Sequence, residues 1–263
     1  PNIKAELSLL SVPIEVTAHR GGSGVAPENT ISAIRQAILD KADYAEIDVL
    51  ETKDGQLVVI HDSNLKRLAG VDLNVHETSL LDLKKIDVGS HFSSEFSGER
   101  ISTLREVIDF VGDQIKLNIE LKVYGQETNL AQKAVSIIQL ARFSDRCVIT
   151  SLDYSLLQQI RSLDPNLKLG MVISAIGGDP SYLDVDFYSA QPLIASSEFI
   201  VRAHRVGRTV SVWTLNEPNK ISLAVDRGAD NVVTDYPEIA RKVIDSRTQV
   251  DEAIGLFRRL LGQ

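Results

Sequence analysis

Tyr44-Ala45-Glu46-Ile47-Asp48-Val49-Leu50 is the stretch whose reading decides the fold. Successive side chains of a β-strand point to opposite faces, so Ala45, Ile47 and Val49 share one face while Glu46 and Asp48 share the other. The same alternation returns in Val16-Thr17-Ala18-His19, where Thr17 and His19 oppose the two apolar residues. It returns again in Leu117-Asn118-Ile119-Glu120-Leu121-Lys122, which leaves Asn118, Glu120 and Lys122 together. Three strands thus place ionisable groups on one side. Any one of them alone would read as an ordinary half-buried strand turning its polar face to water.

Working outward, eight β-type runs are visible: Ile14 to His19, Tyr44 to Leu50, Ile115 to Lys122, Arg146 to Ser151, Lys168 to Ile173, Asp186 to Ala190, Val210 to Leu215 and Asn231 to Thr234. Most precede a segment of helical period, as in Thr30 to Asp40, Thr128 to Arg142, Ser155 to Leu163, Ser197 to Val206 and Pro218 to Arg227. Eight such units predict an α/β protein with a (β/α)8 TIM barrel, a single domain over residues 1–263. A doubly wound open sheet is the alternative, but it commonly opens on a G-x-G-x-x-G turn. His19-Arg20-Gly21-Gly22-Ser23-Gly24 lacks that spacing, although its glycines leave room for backbone amides to approach a phosphate. After the second strand, Lys53-Asp54-Gly55 predicts a hairpin into Leu57 to Ile60 that returns His61 to the same rim. From Asp62 to Ser102 the rhythm breaks. With Gly70, Gly89, Gly98 and exposed-looking Phe92 and Phe96, residues 62–102 read as a mobile insertion over the barrel mouth.

Composition excludes more than it assigns. At a net charge of −8 the chain does not suit a nucleic-acid surface, and no basic stripe appears. No apolar run reaches membrane-spanning length. The single cysteine, Cys147, forbids an intramolecular disulfide and lies in an apolar segment that suits a buried, unreactive thiol. A lone cysteine permits the cytoplasm without requiring it, so the compartment stays open. Leu7 to Val12 is too short for a signal-peptide core, so membrane contact is expected only through an anchor upstream of Pro1.

The clustered acids carry the chemistry. In a parallel sheet covered on both faces, unpartnered carboxylates cost several kcal/mol each, as a rough figure. Arg20 and Lys122 are candidate partners, but two bases do not neutralise Glu46, Asp48, Glu120 and Glu28. A cation resolves the conflict. With only oxygen ligands on offer, Mg2+ or Ca2+ at Glu46, Asp48 and Glu120 is the expectation. His19 and His61 are the histidines at strand ends, whereas His76, His91 and His204 read as solvated or structural. His19, Glu46, Asp48, Glu120, Lys122 and Trp213 all sit near the carboxyl ends of strands, where barrel sites lie. Glu28 suits either the metal site or the dipole of the helix beginning near Thr30, and Asn29 suits a ligand contact or an N-cap. Asp62 is expected to orient His61 or a loop amide. Trp213 is balanced between barrel core and ligand platform, and Tyr154, Phe187 and Tyr188 are candidate pocket walls. Asp251 to Leu261 reads as a helix packed on its own barrel.

Taken in order, His19-Arg20-Gly21, Ala26-Pro27-Glu28-Asn29-Thr30, Glu46-Ile47-Asp48-Val49, Thr52-Lys53-Asp54-Gly55, His61-Asp62, Asn118-Ile119-Glu120-Leu121-Lys122, Trp213-Thr214-Leu215-Asn216 and Thr234-Asp235 resemble the glycerophosphodiester phosphodiesterase family, from about Val16 to Pro237. Ser102 stands where that family usually has proline. The resemblance implies a metal-dependent hydrolase of lipid and glycerol metabolism that cleaves small glycerophosphodiesters to sn-glycerol 3-phosphate and an alcohol. It implies His19 and His61 as an acid-base pair, a divalent cation on Glu46, Asp48 and Glu120, and Arg20, Glu28, Asn29, Lys122 and Trp213 around the substrate. By the same similarity, the glycerol 2-hydroxyl attacks first and water opens the resulting cyclic phosphate. Two alternatives are a phosphatidylinositol-type phospholipase and a non-catalytic barrel that binds glycerophosphate polymers. The carboxylate triad and the Pro27 to Thr30 motif speak against the first, and the presence of both histidines speaks against the second.

Overall fold

Among the residues described by the computed structural model, 13–175 and 182–260 with side chains to 248, nine strands join in one sheet. They are β1 (Glu15–Ala18), β2 (Tyr44–Glu51), β3 (Leu57–Val59), β4 (Lys116–Leu121), β5 (Cys147–Ser151), β6 (Lys168–Ile173), β7 (Phe187–Ala190), β8 (Thr209–Val212) and β9 (Asn231–Thr234). All except β3 run parallel, and pairing of Thr17 with Tyr44 and Ala18 with Ala45 joins β1 to β2 and closes the ring. The result is a (β/α)8 TIM barrel. Around it lie α1 (Ile31–Leu39), α2 (Lys66–Ala69), α3 (Leu80–Leu83), α4 (Leu104–Val111), α5 (Leu130–Leu140), α6 (Tyr154–Leu163), α7 (Ser197–Arg205), α8 (Pro218–Asp226) and α9 (Pro237–Leu260). Among the described residues no helix is long and apolar enough to cross a membrane. The side-chain packing expected over Asp251 to Leu261 lies outside the described residues.

The alternation in sequence becomes an inside and an outside. Val16, Ala18, Ala45, Ile47, Val49, Leu117, Ile119, Leu121, Ile149, Leu169, Val210 and Val232 belong to the buried apolar cluster between strands and helices. Burial of each Val, Leu or Ile there contributes about 1.5–3 kcal/mol. The opposite faces bring Thr17, Glu46, Asp48, Asn118, Thr150, Ser189, Ser211 and Asn231 into the barrel, all buried and polar. Register stacks them: Asp48 pairs with Glu120 and Glu120 with Thr150, while Ser189, Ser211 and Asn231 align across three strands. Local hydrogen bonds satisfy part of this layer, as where Thr150 Oγ1 donates to Asn118 Oδ1 at 2.9 Å.

The segment 62–102 carries a buried cluster of its own beside the barrel, while Phe92 is exposed as its sequence suggests. Leu65, Leu68, Val75, Leu83, Val88 and Ile101 join Leu50, Val58 and Ile60 in a second buried cluster. Phe92 and Phe96 meet edge to face with centroids 5.6 Å apart. Ser102 fits without strain, since its carbonyl accepts from Val59 N at 2.8 Å and Thr103 caps α4 with Glu106 in a capping box.

Candidate active site

The edge of β2 explains how the two histidines meet. β4 covers one edge of β2 from Tyr44 to Val49. On the other edge β1 reaches only Tyr44 and Ala45, and the antiparallel β3 covers Val49 to Glu51, with Ile60 N donating to Asp48 O at 2.9 Å. β1 and β3 therefore end facing each other across Glu46–Asp48. His19 leaves one end of that gap and His61 enters from the other.

His19–Gly21 form a tight, kinked turn after β1, with Arg20 in the left-handed region at φ +50°. Gly21 has φ +83°, and a Cβ there would lie 2.9 Å from that of Ala33, so only glycine lets α1 approach so closely. The turn does not present its amides to a phosphate: Gly22 N and Ser23 N donate to His19 O, and Gly24 N donates to Asp235 O. Arg20 N donates instead to Glu46 Oε2 at 2.7 Å.

Glu46, Asp48 and Glu120 bring carboxylate oxygens within 4.8 Å of one another. Lys122 Nζ lies 2.9 Å from Asp48 Oδ1 and 2.6 Å from Glu120 Oε1. Asn29, 3 % exposed, gives both ends of its amide to Asp48, donating from Nδ2 at 2.9 Å and accepting the Asp48 amide at 3.0 Å. This places Asn29 behind the carboxylates, and the N-cap of α1 is Thr30, not Asn29. Burial works against a charged Asp48, but the charges of Lys122, His61 and Arg20 hold it below the usual carboxylate range. Glu46 is the opposite case. Burial, reinforced by Asp48 and Glu120, pushes it up to about 8. Its Oε1 is buried without a hydrogen-bond partner. A hard divalent cation fits this all-oxygen donor set and would satisfy that oxygen.

The charge balance differs from the sequence count because of Arg67. Its Nη1 and Nη2 donate to Glu28 Oε2 and Oε1 at 2.8 and 2.7 Å, and Arg20 Nη1 adds 2.9 Å to Glu28 Oε1. Glu28 is thus neutralised by two guanidinium groups. Its carboxyl lies below the ordinary value because Arg67 and Arg20 together outweigh the burial that opposes ionisation. The unmet oxygen belongs to Glu46, not Glu28.

Each histidine has a carboxylate on Nδ1. His19 Nδ1 lies 2.6 Å from Asp235 Oδ1, and Asp235 accepts from Ser23 Oγ at 2.7 Å and Asn216 Nδ2 at 2.6 Å. Burial disfavours the charged His19 ring, but the Asp235 hydrogen bond and the charge of Glu46 raise its pKa above the ordinary 6.5. Asp235 is brought down to about 2: burial opposes ionisation, and His19, Ser23 and Asn216 more than offset it. His61 Nδ1 lies 2.7 Å from Asp62 Oδ1, the orienting contact expected of Asp62. A carboxylate can only accept, so Nδ1 carries the proton in both rings and Nε2 is left for other partners.

Trp213 lies just past β8, half-buried, with Nε1 donating to Ser189 O at 2.9 Å. Phe187 and Tyr188 are not walls of the mouth. Phe187 begins β7 with its ring against Gly170, and Tyr188 is buried on the outer face against Phe199. Cys147 is buried as expected, which pushes its thiol up to about 12. The sequence patterns point to no role for Arg67, Asp235, Asn216 or Ser23. Asp235 does carry a positional signal, since it is an acid at the carboxyl end of a barrel strand; Arg67 carries none.

The glycerophosphoryl diester phosphodiesterase family profile matches residues 19–239. A glycerophosphodiester phosphodiesterase of Caldanaerobacter subterraneus is 34% identical over 232 residues, covering 85% of this chain and 94% of that protein. Among solved structures, an Oleispira antarctica phosphodiesterase in complex with the product sn-glycerol-3-phosphate is 30% identical with a TM-score of 0.84, over 90% of this chain and 99% of that one. A glycerophosphodiester phosphodiesterase from Thermotoga maritima is 27% identical with a TM-score of 0.72, over 88% and 98% of the two chains. Because the family match runs from one histidine arm through all three carboxylates to Asp235, the chain belongs to the glycerophosphoryl diester phosphodiesterase family and is a phosphodiesterase.

Proposed function

We propose that the protein hydrolyses glycerophosphodiesters to sn-glycerol 3-phosphate and an alcohol, with His19 and His61 as the acid-base pair and Glu46, Asp48 and Glu120 holding Mg2+ or Ca2+. The observation that carries this reading is the convergence of two Nδ1-anchored histidines on a buried carboxylate cluster with one unmet oxygen. The product held by the Oleispira antarctica relative supports the substrate class. A divalent cation held by Glu46, Asp48 and Glu120 would supply positive charge for the phosphoryl oxygens.

The remaining work falls to the chain. Arg20 and Lys122 add positive charge at the same face, and Glu28 fixes the Arg20 guanidinium. Asn29 holds Asp48 in place for its ligand role, and Trp213 walls the glycerol side. One imidazole takes the proton of the attacking hydroxyl at Nε2 and the other protonates the leaving alkoxide, while Asp235 and Asp62 hold the Nδ1 protons. Attack by the glycerol 2-hydroxyl is intramolecular, which gains roughly 7 to 11 kcal/mol in the best oriented cases; it expels the alcohol and leaves a cyclic phosphate, which water then opens by breaking the bond to the 2-oxygen, with the two imidazoles exchanging roles, to give sn-glycerol 3-phosphate.

A panel of glycerophosphodiesters with choline, ethanolamine and glycerol leaving groups, assayed for glycerol 3-phosphate with and without chelator, tests the reading. Release that disappears with chelator and returns with Mg2+ or Ca2+ is expected; release from no member would refute the substrate class. A 2-deoxyglycerol substrate tests the neighbouring-group step alone. Normal turnover of it would remove that step.

A further inference from the structure

We propose that Arg67, on the short helix α2 outside the barrel proper, is the positioning residue that sets the orientation of His61. The inference rests on the reading of His61 as a proton-transfer group. Its basis is a chain of contacts. Arg67 Nε donates to Asp62 Oδ2 at 2.6 Å, and Asp62 Oδ1 accepts a hydrogen bond from His61 Nδ1 at 2.7 Å. The other edge of the same guanidinium grips both oxygens of Glu28 at 2.8 and 2.7 Å, and Glu28 is tied to Arg20, whose amide donates to Glu46. A guanidinium is planar, so three donors used at once fix Asp62 and Glu28 in one plane. The imidazole takes its tautomer from the neighbouring Asp62, and Arg67 fixes the direction of that carboxylate against Glu28 in the loop after β1. Arg67 is half exposed, so packing does not dictate its place; the two carboxylates do.

Lysine keeps the charge but cannot reproduce the fork. The experiment compares Arg67→Lys, Asp62→Ala, His61→Ala and the Arg67→Lys/Asp62→Ala double variant. It measures steady-state kinetics, cation affinity by calorimetry, and the 15N signals of the His61 ring. Arg67→Lys should lower kcat by about tenfold to a hundredfold, the usual range for a group that orients another, with KM and cation affinity near wild type. The double variant should be no worse than the more damaged single variant, because both act through one imidazole. In Arg67→Lys the His61 ring should change from one Nδ1–H tautomer to a mixture, which a loss of fold elsewhere would not produce. Should Arg67→Lys disturb the packing of α2, Asp62→Ala keeps the Arg67–Glu28 grip and must show the same kinetic and ring signatures. Wild-type kcat in Arg67→Lys beside a severe His61→Ala defect would overturn the assignment of Arg67 alone, as would multiplying defects in the double variant. Wild-type turnover of His61→Ala would overturn the acid-base reading, and this proposal with it.

Discussion

The two histidine arms reach the same carboxylates from different kinds of support. His19 is held by Asp235, which follows β9, and by Asn216 and Ser23 through Asp235, all on loops that spring from barrel strands. His61 is held by Asp62 and Arg67, which belong to the segment with its own apolar cluster. The first support is close-packed, as the contact of Gly21 with Ala33 shows. The second leans on Arg67, which is half exposed and bound to Glu28 of the loop after β1. A rigid frame can hold one imidazole from behind, whereas an added segment must carry its own clamp to present the other accurately.

The largest effect should come from removing what both arms share. Glu46→Ala, Asp48→Ala or Glu120→Ala should each abolish divalent-cation binding and most activity while the fold persists, because the cation contributes several kcal/mol of transition-state stabilisation, as a rough figure. Calorimetry decides; unchanged cation affinity in all three would sink the site. Next come the arms. His19→Ala and His61→Ala should each slow turnover by about a hundredfold to ten-thousandfold, and His76→Ala, His91→Ala and His204→Ala should be nearly silent. Near-normal turnover in either of the first two would break the symmetry of the pair.

Asp235→Asn should cost less and should also move a pH limb. Burial disfavours the charged His19 ring, yet the hydrogen bond and charge of Asp235 with the charge of Glu46 raise its pKa above 6.5. Loss of Asp235 should let His19 release its proton at lower pH, so the limb that follows His19 shifts downward in the rate profile. A limb that stays put would separate Asp235 from His19. Smaller again is a stability effect of the cation-free protein. Burial, with Asp48 and Glu120, lifts Glu46 from 4.5 to about 8, so the folded state binds more protons than the unfolded one between those values. This contribution is fully present below pH 4.5 and is lost as pH rises through about 8. The melting temperature of the cation-free protein should fall over that window, and Glu46→Gln should flatten the fall. Glycine substitutions contrast the frames most gently. Gly21→Ala should cost about 2 to 4 kcal/mol from its positive φ and the close Ala33 contact. Gly70→Ala, at φ +69° with nothing within 4 Å, should cost about 1 kcal/mol. Equal losses in denaturant unfolding would show that the two supports are packed alike.

Most of the barrel was legible because its signal is local. A period of two along Tyr44 to Leu50 and Leu117 to Lys122 is enough to put Glu46, Asp48, Glu120 and Lys122 on one face. Parallel pairing then sets Asp48 opposite Glu120. The hairpin at Lys53-Asp54-Gly55 was equally readable, and it carried His61 back to the rim. The second apolar cluster was missed because Leu65, Leu68, Val75, Leu83, Val88 and Ile101 follow neither strand nor helix period, so their shared burial leaves no pattern in a short window. The supports of the histidines were out of reach for a related reason. Asp235 stands 216 residues from His19 and Arg67 stands 39 from Glu28. Nothing in the residues around Arg67 sets it apart from Lys66. Closure of the sheet, which lays β9 beside β1, brings Asp235 to His19, and packing of the second cluster lays α2 against the loop after β1. Side-chain periodicity is a property of a few neighbouring residues, whereas these contacts exist only once distant segments have been folded against one another.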